Sequence, residues 1–230
     1  MRIRKLNLSN RQDVKQFIQF PFDLYGRHPY WVPPLRSDMR FVLDRDRYPF
    51  FQHSTADFFV AEHKQETLGR IAAISNNRYN EFNQSRTAFF YFFECVEDPD
   101  ISSALFEAVS EWAVSRNHNQ IYGPKGMLQG DGIGLLVDGF NYLPAMGIAY
   151  NFPYYDRLVK SAGFTKKADY LSARLTAVDD VSEKVRRIAE KVKQRSGFWV
   201  RKFSTKDELL ETAPEIREVY NQAFGSGEGF

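Results

Sequence analysis

The sequence predicts an α/β fold, and three observations carry that expectation. An amphipathic helix with Tyr155, Leu158, Val159 and Ala162 on one face stops at Gly163, and an alternating, strand-like segment follows at 165–175. The run at 87–96 is so continuously apolar and aromatic that both of its faces are expected to be covered, as in a central strand. Asp98-Pro99 then opens a second amphipathic helix, so helices and strands interleave along the chain. Gly163 explains the stop, because the position after a helix often needs a left-handed backbone that glycine adopts without steric cost.

The elements follow in order. Residues 3–8 read as a short strand, and Asn10 with Asp13 can cap a helix carrying Val14, Phe17 and Ile18. Pro21 is expected to end or kink that helix, since it has no N–H to donate. His28-Pro-Tyr-Trp-Val-Pro-Pro34 cannot be a regular element: its prolines remove donors and push their predecessors toward extended geometry, leaving an ordered aromatic loop. Strands are expected at 57–62, 69–75 and 87–96. In the helix after Pro99, Ile101, Leu105, Ala108, Val109 and Trp112 form one apolar stripe, and a strand at 120–122 comes next.

Between residues 123 and 146 the chain is glycine-rich, which predicts a structured insertion. Beyond the helix and strand at 155–175, Asp180 and Glu183 form a capping-box pattern before Val185, Ile188 and Val192 at helical spacing. The basic residues of that helix read as a solvated face. Val200-Arg-Lys-Phe203 then echoes Ile3-Arg-Lys-Leu6, each leading through a polar turn to a helix. The expected organisation is one domain over 1–176, a linker helix over 177–197, and the start of a second lobe over 198–230; the alternative is an extra strand and helix docking on the first domain.

With 230 residues and 43% hydrophobic content the chain can bury a substantial core. The balance of 31 basic against 29 acidic side chains is far from the basic excess of a dedicated nucleic-acid binder. No run approaches the length of a membrane-spanning helix, and Met1-Arg-Ile-Arg-Lys-Leu-Asn7 lacks the apolar stretch of a signal peptide, so a cytoplasmic protein without a membrane partner is expected. Four histidines without an i, i+4 pair and a single Cys95 support no metal site and no internal disulfide.

Among candidates for chemistry, Glu94 ends the aromatic strand, where apolar neighbours would raise its pKa and suit it to accept a proton from an attacking amine. The other reading is a strand-end side chain in solvent. Cys95 reads as a small buried hydrophobe rather than a nucleophile, and Arg70 as half of a structural ion pair. Asp131 and Asp138 are turn formers or contacts for an acceptor amine, and Tyr154 and Tyr155 either pack or reach the same cleft as Glu94. A concave pocket is expected to join Glu94, Tyr154 or Tyr155, and the glycine-rich insertion.

The helix–Gly163–Phe164–strand unit and the element order over 1–175 resemble the GNAT acyltransferase superfamily. His28-Pro-Tyr-Trp-Val-Pro-Pro-Leu35, Gly69-Arg-Ile-Ala-Ala73, Phe89-Phe-Tyr-Phe-Phe-Glu-Cys95 and Gly134-Leu-Leu-Val-Asp-Gly-Phe140 are also similar to a bacterial group of two-lobed GNAT-like proteins. The resemblance implies a mixed, largely antiparallel twisted sheet with helices on both faces. It also implies an N-acyltransferase using acetyl-CoA or another acyl-CoA on a small-molecule or peptide amine, with a homodimer left open. It places Glu94 and Tyr155 in catalysis, Cys95, Val96, Asn151 and Tyr154 at the cofactor, and Trp31, Asp131 and Tyr150 at the substrate.

Two departures are legible. The segment Glu97-Asp-Pro-Asp-Ile-Ser102 has three carboxylates and no glycine where the superfamily holds a pyrophosphate, and Val159 stands where many members carry a tyrosine acid. These departures keep alive a catalytically inactive scaffold or substrate-binding lobe, or an aminoacyl transferase of the tandem-lobed Fem type.

Overall fold

The computed structural model describes residues 1–128, 130–145, 148–173, 182–196 and 201–224. Strand β1 (Arg2–Lys5) leads to Asn10, whose side chain accepts the Gln12 N–H and starts helix α1 (Arg11–Tyr25). After the irregular aromatic loop come α2 (Arg36–Val42) and a short turn of 3-10 helix at Pro49–Gln52. Strands β2 (Thr55–His63) and β3 (Glu66–Ser75), helix α3 (Asn77–Phe82) and strand β4 (Thr87–Cys95) follow. Helix α4 (Pro99–Ser115), strand β5 (Gln120–Tyr122) and helix α5 (Tyr155–Ser161) complete the first unit, Met1–Ala168.

The sheet order is β1-β2-β3-β4-β5, antiparallel except for the parallel β4–β5 pair. Helices cover both faces, as expected. On one side α4 and α5 bring Leu105, Val109, Tyr155 and Leu158 onto Ile71 and Phe90; on the other, α1 and α2 bring Phe17, Ile18 and Met39 onto Phe58, Val60 and Ile74.

Two expectations need correction. Pro21 neither ends nor stops α1, which runs on to Tyr25. The missing N–H would leave the Phe17 carbonyl unpaired, but Arg70 Nη1 donates to that oxygen at 2.7 Å, so the helix continues through the proline at little cost. Strand β4 lies between β3 and β5 with both faces covered, as expected, and β5 pairs only with Thr87, Ala88 and Phe89 before leaving it. The alternating segment after Gly163 forms no strand over 165–173, where the side chains are exposed. Alternation alone makes no ladder: β5 is three residues long, and no strand among the described residues lies beyond it to pair with the segment. The end of the expected strand, at 174–175, lies outside the described residues.

The second unit, Asp169–Phe230, holds α6 (Glu183–Ser196) and α7 (Lys206–Phe224). At the start of α7 the Thr205 hydroxyl accepts the Glu208 N–H while the Glu208 carboxylate accepts the Ser204 N–H, a reciprocal capping box. The Asp180 cap expected for α6 lies outside the described residues. Of the expected strand at 200–203, residues 201–203 are not a strand and Val200 is outside the described residues.

The exit of β5 depends on Gly123, where an added Cβ would lie 2.5 Å from the Phe90 ring and 2.6 Å from the Phe90 carbonyl oxygen. Gly123→Ala should therefore force β5 away from β4 and destabilise the protein by about 1–3 kcal/mol, read as a lower urea midpoint. An unchanged midpoint would show that this close approach is not needed.

Candidate functional site

Site geometry begins with a bulge in β4. Cross-strand pairs run Arg70–Glu94 and then Ala72–Tyr91, so β4 spends one more residue than β3 over this step, and Phe92 takes a φ of +52°. The consequence is a change of face. Tyr91 and Phe92 both pack on the α1 side, Phe93 and Cys95 return to the α4–α5 side, and Glu94 shares Arg70's side of the sheet. Without the extra residue, strict alternation would send Glu94 to the opposite face.

There its carboxylate meets three partners. Tyr25, at the end of α1, donates its hydroxyl to Glu94 Oε2 at 2.5 Å, and Tyr155, at the start of α5, donates to the same oxygen at 2.9 Å. Arg70 Nη2 lies 3.8 Å from Glu94 Oε1. The Glu94 side chain keeps 16% of its surface exposed, against 4% for Arg70, while its carboxylate is desolvated among these partners.

Desolvation pushes the Glu94 carboxyl above its ordinary range, while the Arg70 charge and the two hydroxyl donors pull it part of the way back. The same burial, together with the negative Glu94, drives the Tyr25 and Tyr155 phenols well above theirs. Both tyrosines therefore stay protonated and remain donors.

The open edge of β4 is occupied by α5. The Val96 N–H donates to Leu68 of the β2–β3 side at 3.0 Å, so the Cys95 N–H, pointing the other way, faces the edge that β5 has left. It donates to the Tyr155 hydroxyl at 3.0 Å, and the Tyr154 hydroxyl donates to the Cys95 carbonyl at 2.8 Å. Burial pushes the Cys95 thiol up to about 12, which keeps it an inert thiol.

Around Tyr25 stands an aromatic collar. Trp31 stacks on it at 5.0 Å, Phe152 lies at 4.8 Å and Tyr150 meets it edge-on at 6.2 Å. His28 packs on Tyr150 and Phe152, and the Tyr150 hydroxyl lies 3.4 Å from His28 Nε2. The buried Asn151 accepts the Leu136 N–H and donates to the Leu136 carbonyl, pinning the glycine-rich insertion beside the collar.

Of the residues singled out by sequence, the fold thus brings Glu94, Tyr155, Tyr154, Cys95, Tyr150 and Trp31 together. Val96 spends its N–H inside the sheet, and Asn151 acts on the insertion. Asp131 accepts the Leu128 N–H in a turn, and Gly132 is tied to Tyr91 rather than to Glu94. Sequence reasoning missed Tyr25 and His28. The signal available was their flanking of the Pro-rich aromatic loop, but only the fold puts Tyr25 against a carboxylate 69 residues away and His28 against Tyr150 and Phe152. The expected pocket has no counterpart among the cavities described. One of about 540 Å³ is lined by α7 residues such as Pro214 and Glu218, another of about 430 Å³ by residues such as Thr55, Arg86 and His118, and neither includes the Glu94 cluster.

Coenzyme A held in the manner the resemblance implies does not fit these residues. The Asp98 carboxylate accepts the Asp100 and Ile101 N–H groups at the start of α4, Pro99 has no N–H, and Glu97 pairs with Arg157. The anion site at that helix start is taken by the protein's own carboxylates, and the Cys95 edge by tyrosine hydroxyls.

No family model matches the chain. It is 26% identical over 222 residues to Protein YghO of Escherichia coli, covering 96% of this chain and 56% of that protein. It is likewise 26% identical over 224 residues to the bacterial ceramide synthase of Caulobacter vibrioides, covering 95% and 56%. The chain thus spans about half the length of the curated relatives it matches. Among solved structures it is similar to an aminoglycoside acetyltransferase from an uncultured soil metagenomic sample, determined with sisomicin: TM-score 0.47, 12% identity, 76% of this chain and 95% of that one.

Two outcomes follow from this geometry. Tyr155→Phe leaves the Cys95 N–H without its acceptor and should cost about 1–3 kcal/mol of stability. Because the lost hydrogen bond favoured the ionised carboxylate, Glu94 should also titrate at a higher pH, measurable by carbon NMR of labelled glutamate; an unmoved titration would refute the contact. Coenzyme A alone should bind no tighter than about the millimolar range, roughly −4 kcal/mol by calorimetry, and low-micromolar binding would overturn the misfit.

Proposed function

We propose that the chain forms the acyl-transfer lobe of an N-acyltransferase that joins an activated acyl group to the primary amine of a long-chain acceptor. The observation that carries this reading is Glu94: a desolvated carboxylate with a raised pKa, held by Tyr25, Tyr155 and Arg70 on the stretch of β4 that β5 does not pair. The similarity to a bacterial ceramide synthase supports the acceptor class, since ceramide is the amide of a long-chain amino alcohol. The aromatic collar of Trp31, Tyr150 and Phe152 suits an apolar chain beside the amine.

In this reading ionised Glu94 takes a proton from the amine, whose nitrogen attacks the acyl carbonyl of a thioester or ester. A C–N bond forms and the C–S or C–O bond breaks. Glu94 then returns that proton to the departing thiolate or alkoxide, while the buried hydroxyls of Tyr25 and Tyr155 stay bonded to its Oε2 and hold it in place.

One observation favours a second reading, a substrate-binding or scaffold lobe: the start of α4 and the open edge of β4 are both filled by the protein's own side chains. Under either reading we propose that residues 198–230 begin a second lobe, on the strength of the Val200–Phe203 echo of Ile3–Leu6.

The test is amide formation from a long-chain amine and an acyl thioester, followed by mass spectrometry. Glu94→Gln should lower kcat about a hundredfold or more with little change in KM. The wild-type acidic limb should lie above the ordinary carboxylate range, because the base works only when ionised and its pKa is raised; that limb should vanish in the variant. Full activity of Glu94→Gln would remove the base and leave the scaffold reading ahead.

A further inference from the structure

We infer that Arg70 is a positioning residue for this reaction: anchored on the Phe17 carbonyl that Pro21 leaves free, it fixes a positive charge beside Glu94 on the α1 side of the sheet. This inference rests on the reading of Glu94 as the base.

The argument starts with a missing donor. In α1 the Phe17 carbonyl would be bonded by the N–H of residue 21, and that residue is Pro21. Arg70 Nη1 supplies the hydrogen bond instead, at 2.7 Å, from the neighbouring sheet. The guanidinium is then fixed on its other faces. It lies over the Phe17 ring at 4.7 Å and the Phe92 ring at 5.4 Å, and its Nη2 is turned to Glu94.

Stability alone does not account for this arrangement. Arg70 Nε is buried with no hydrogen-bond partner among the described residues, and its separation from Glu94 is longer than a good ion pair. What the charge does here is act on Glu94 across a gap too wide to lock it, while the two hydroxyls hold the other carboxylate oxygen. The ionisable groups around Glu94 are Tyr25 from α1, Arg70 from β3, Tyr91 and Cys95 from β4, and Tyr154 and Tyr155 from α5. Arg70 is the one cation among them.

The test titrates Glu94 by carbon NMR in the whole protein and compares the pH dependence of kcat/KM for the same set: wild type, Arg70→Met, Arg70→Lys and Pro21→Ala. Arg70→Met should move the Glu94 titration upward by a pH unit or more, about tenfold in proton affinity, and carry the acidic limb with it. It should lower kcat more than it raises KM. Arg70→Lys keeps the charge without the two-sided grip and should restore part of the shift. Pro21→Ala returns an N–H to Phe17, releases Arg70 and should move Glu94 in the direction of Arg70→Met without lowering thermal stability. If Arg70→Met does not fold, the lysine and Pro21→Ala variants carry the same test. An unmoved Glu94 titration in the folded variants would overturn the inference. A shifted titration with an inactive wild type, or with full activity in Glu94→Gln, would instead condemn the acyltransferase reading and leave the Arg70–Glu94 coupling standing.

Discussion

The hydrogen bond from Arg70 to the Phe17 carbonyl is the constraint on which the rest of the site depends. It solves two problems at once. Helix α1 has a carbonyl that its own proline cannot serve, and a buried guanidinium needs an acceptor. Because the two are satisfied together, α1 runs unbroken to Tyr25 and the cation stands beside Glu94. Removing one partner of a buried, hydrogen-bonded charge typically costs about 3–5 kcal/mol, so the contact ties the helix to the sheet as well as to the carboxylate.

The second constraint is the register of β4. One extra residue at Phe92 turns Glu94 toward α1, and the early departure of β5 opens the strand's outer edge just before that residue. Tyr155 joins the two features: its ring packs among the side chains of the α4–α5 face, while its hydroxyl bridges the Cys95 N–H and Glu94. A carboxylate in such a place is neither a solvated strand end nor a sealed core group. It is desolvated enough for its proton affinity to rise.

Charge placement makes the start of α4 different from the anion-binding helix start that the resemblance implies. Asp98 caps it, Asp100 and Glu97 lie beside it, and a negative charge there disfavours a pyrophosphate that free N–H groups would attract. An acyl donor for this lobe would have to be held by contacts other than that helix end, a view that agrees with an acceptor side lined by aromatic rings.

The strands at the centre of the sheet, the Asn10 and Asp98 caps, the irregular loop after His28 and the stop at Gly163 were determined by the sequence itself, because each rests on short-range chemistry that acts wherever the residues occur. Glu94 and Tyr155 were legible as candidates for the same reason: a carboxylate closing an aromatic run and a tyrosine opening a helix are visible without a fold. Tertiary structure alone decided the fate of Pro21, which depends on a guanidinium 49 positions later in the chain, and the absence of a strand over 165–173, which depends on whether a neighbour exists to pair with it. It also decided the partnership of Tyr25 with Glu94. Local propensity sets what each segment can be; long-range pairing sets which of its unsatisfied groups meet, and the setting of Glu94 is defined by the groups it meets.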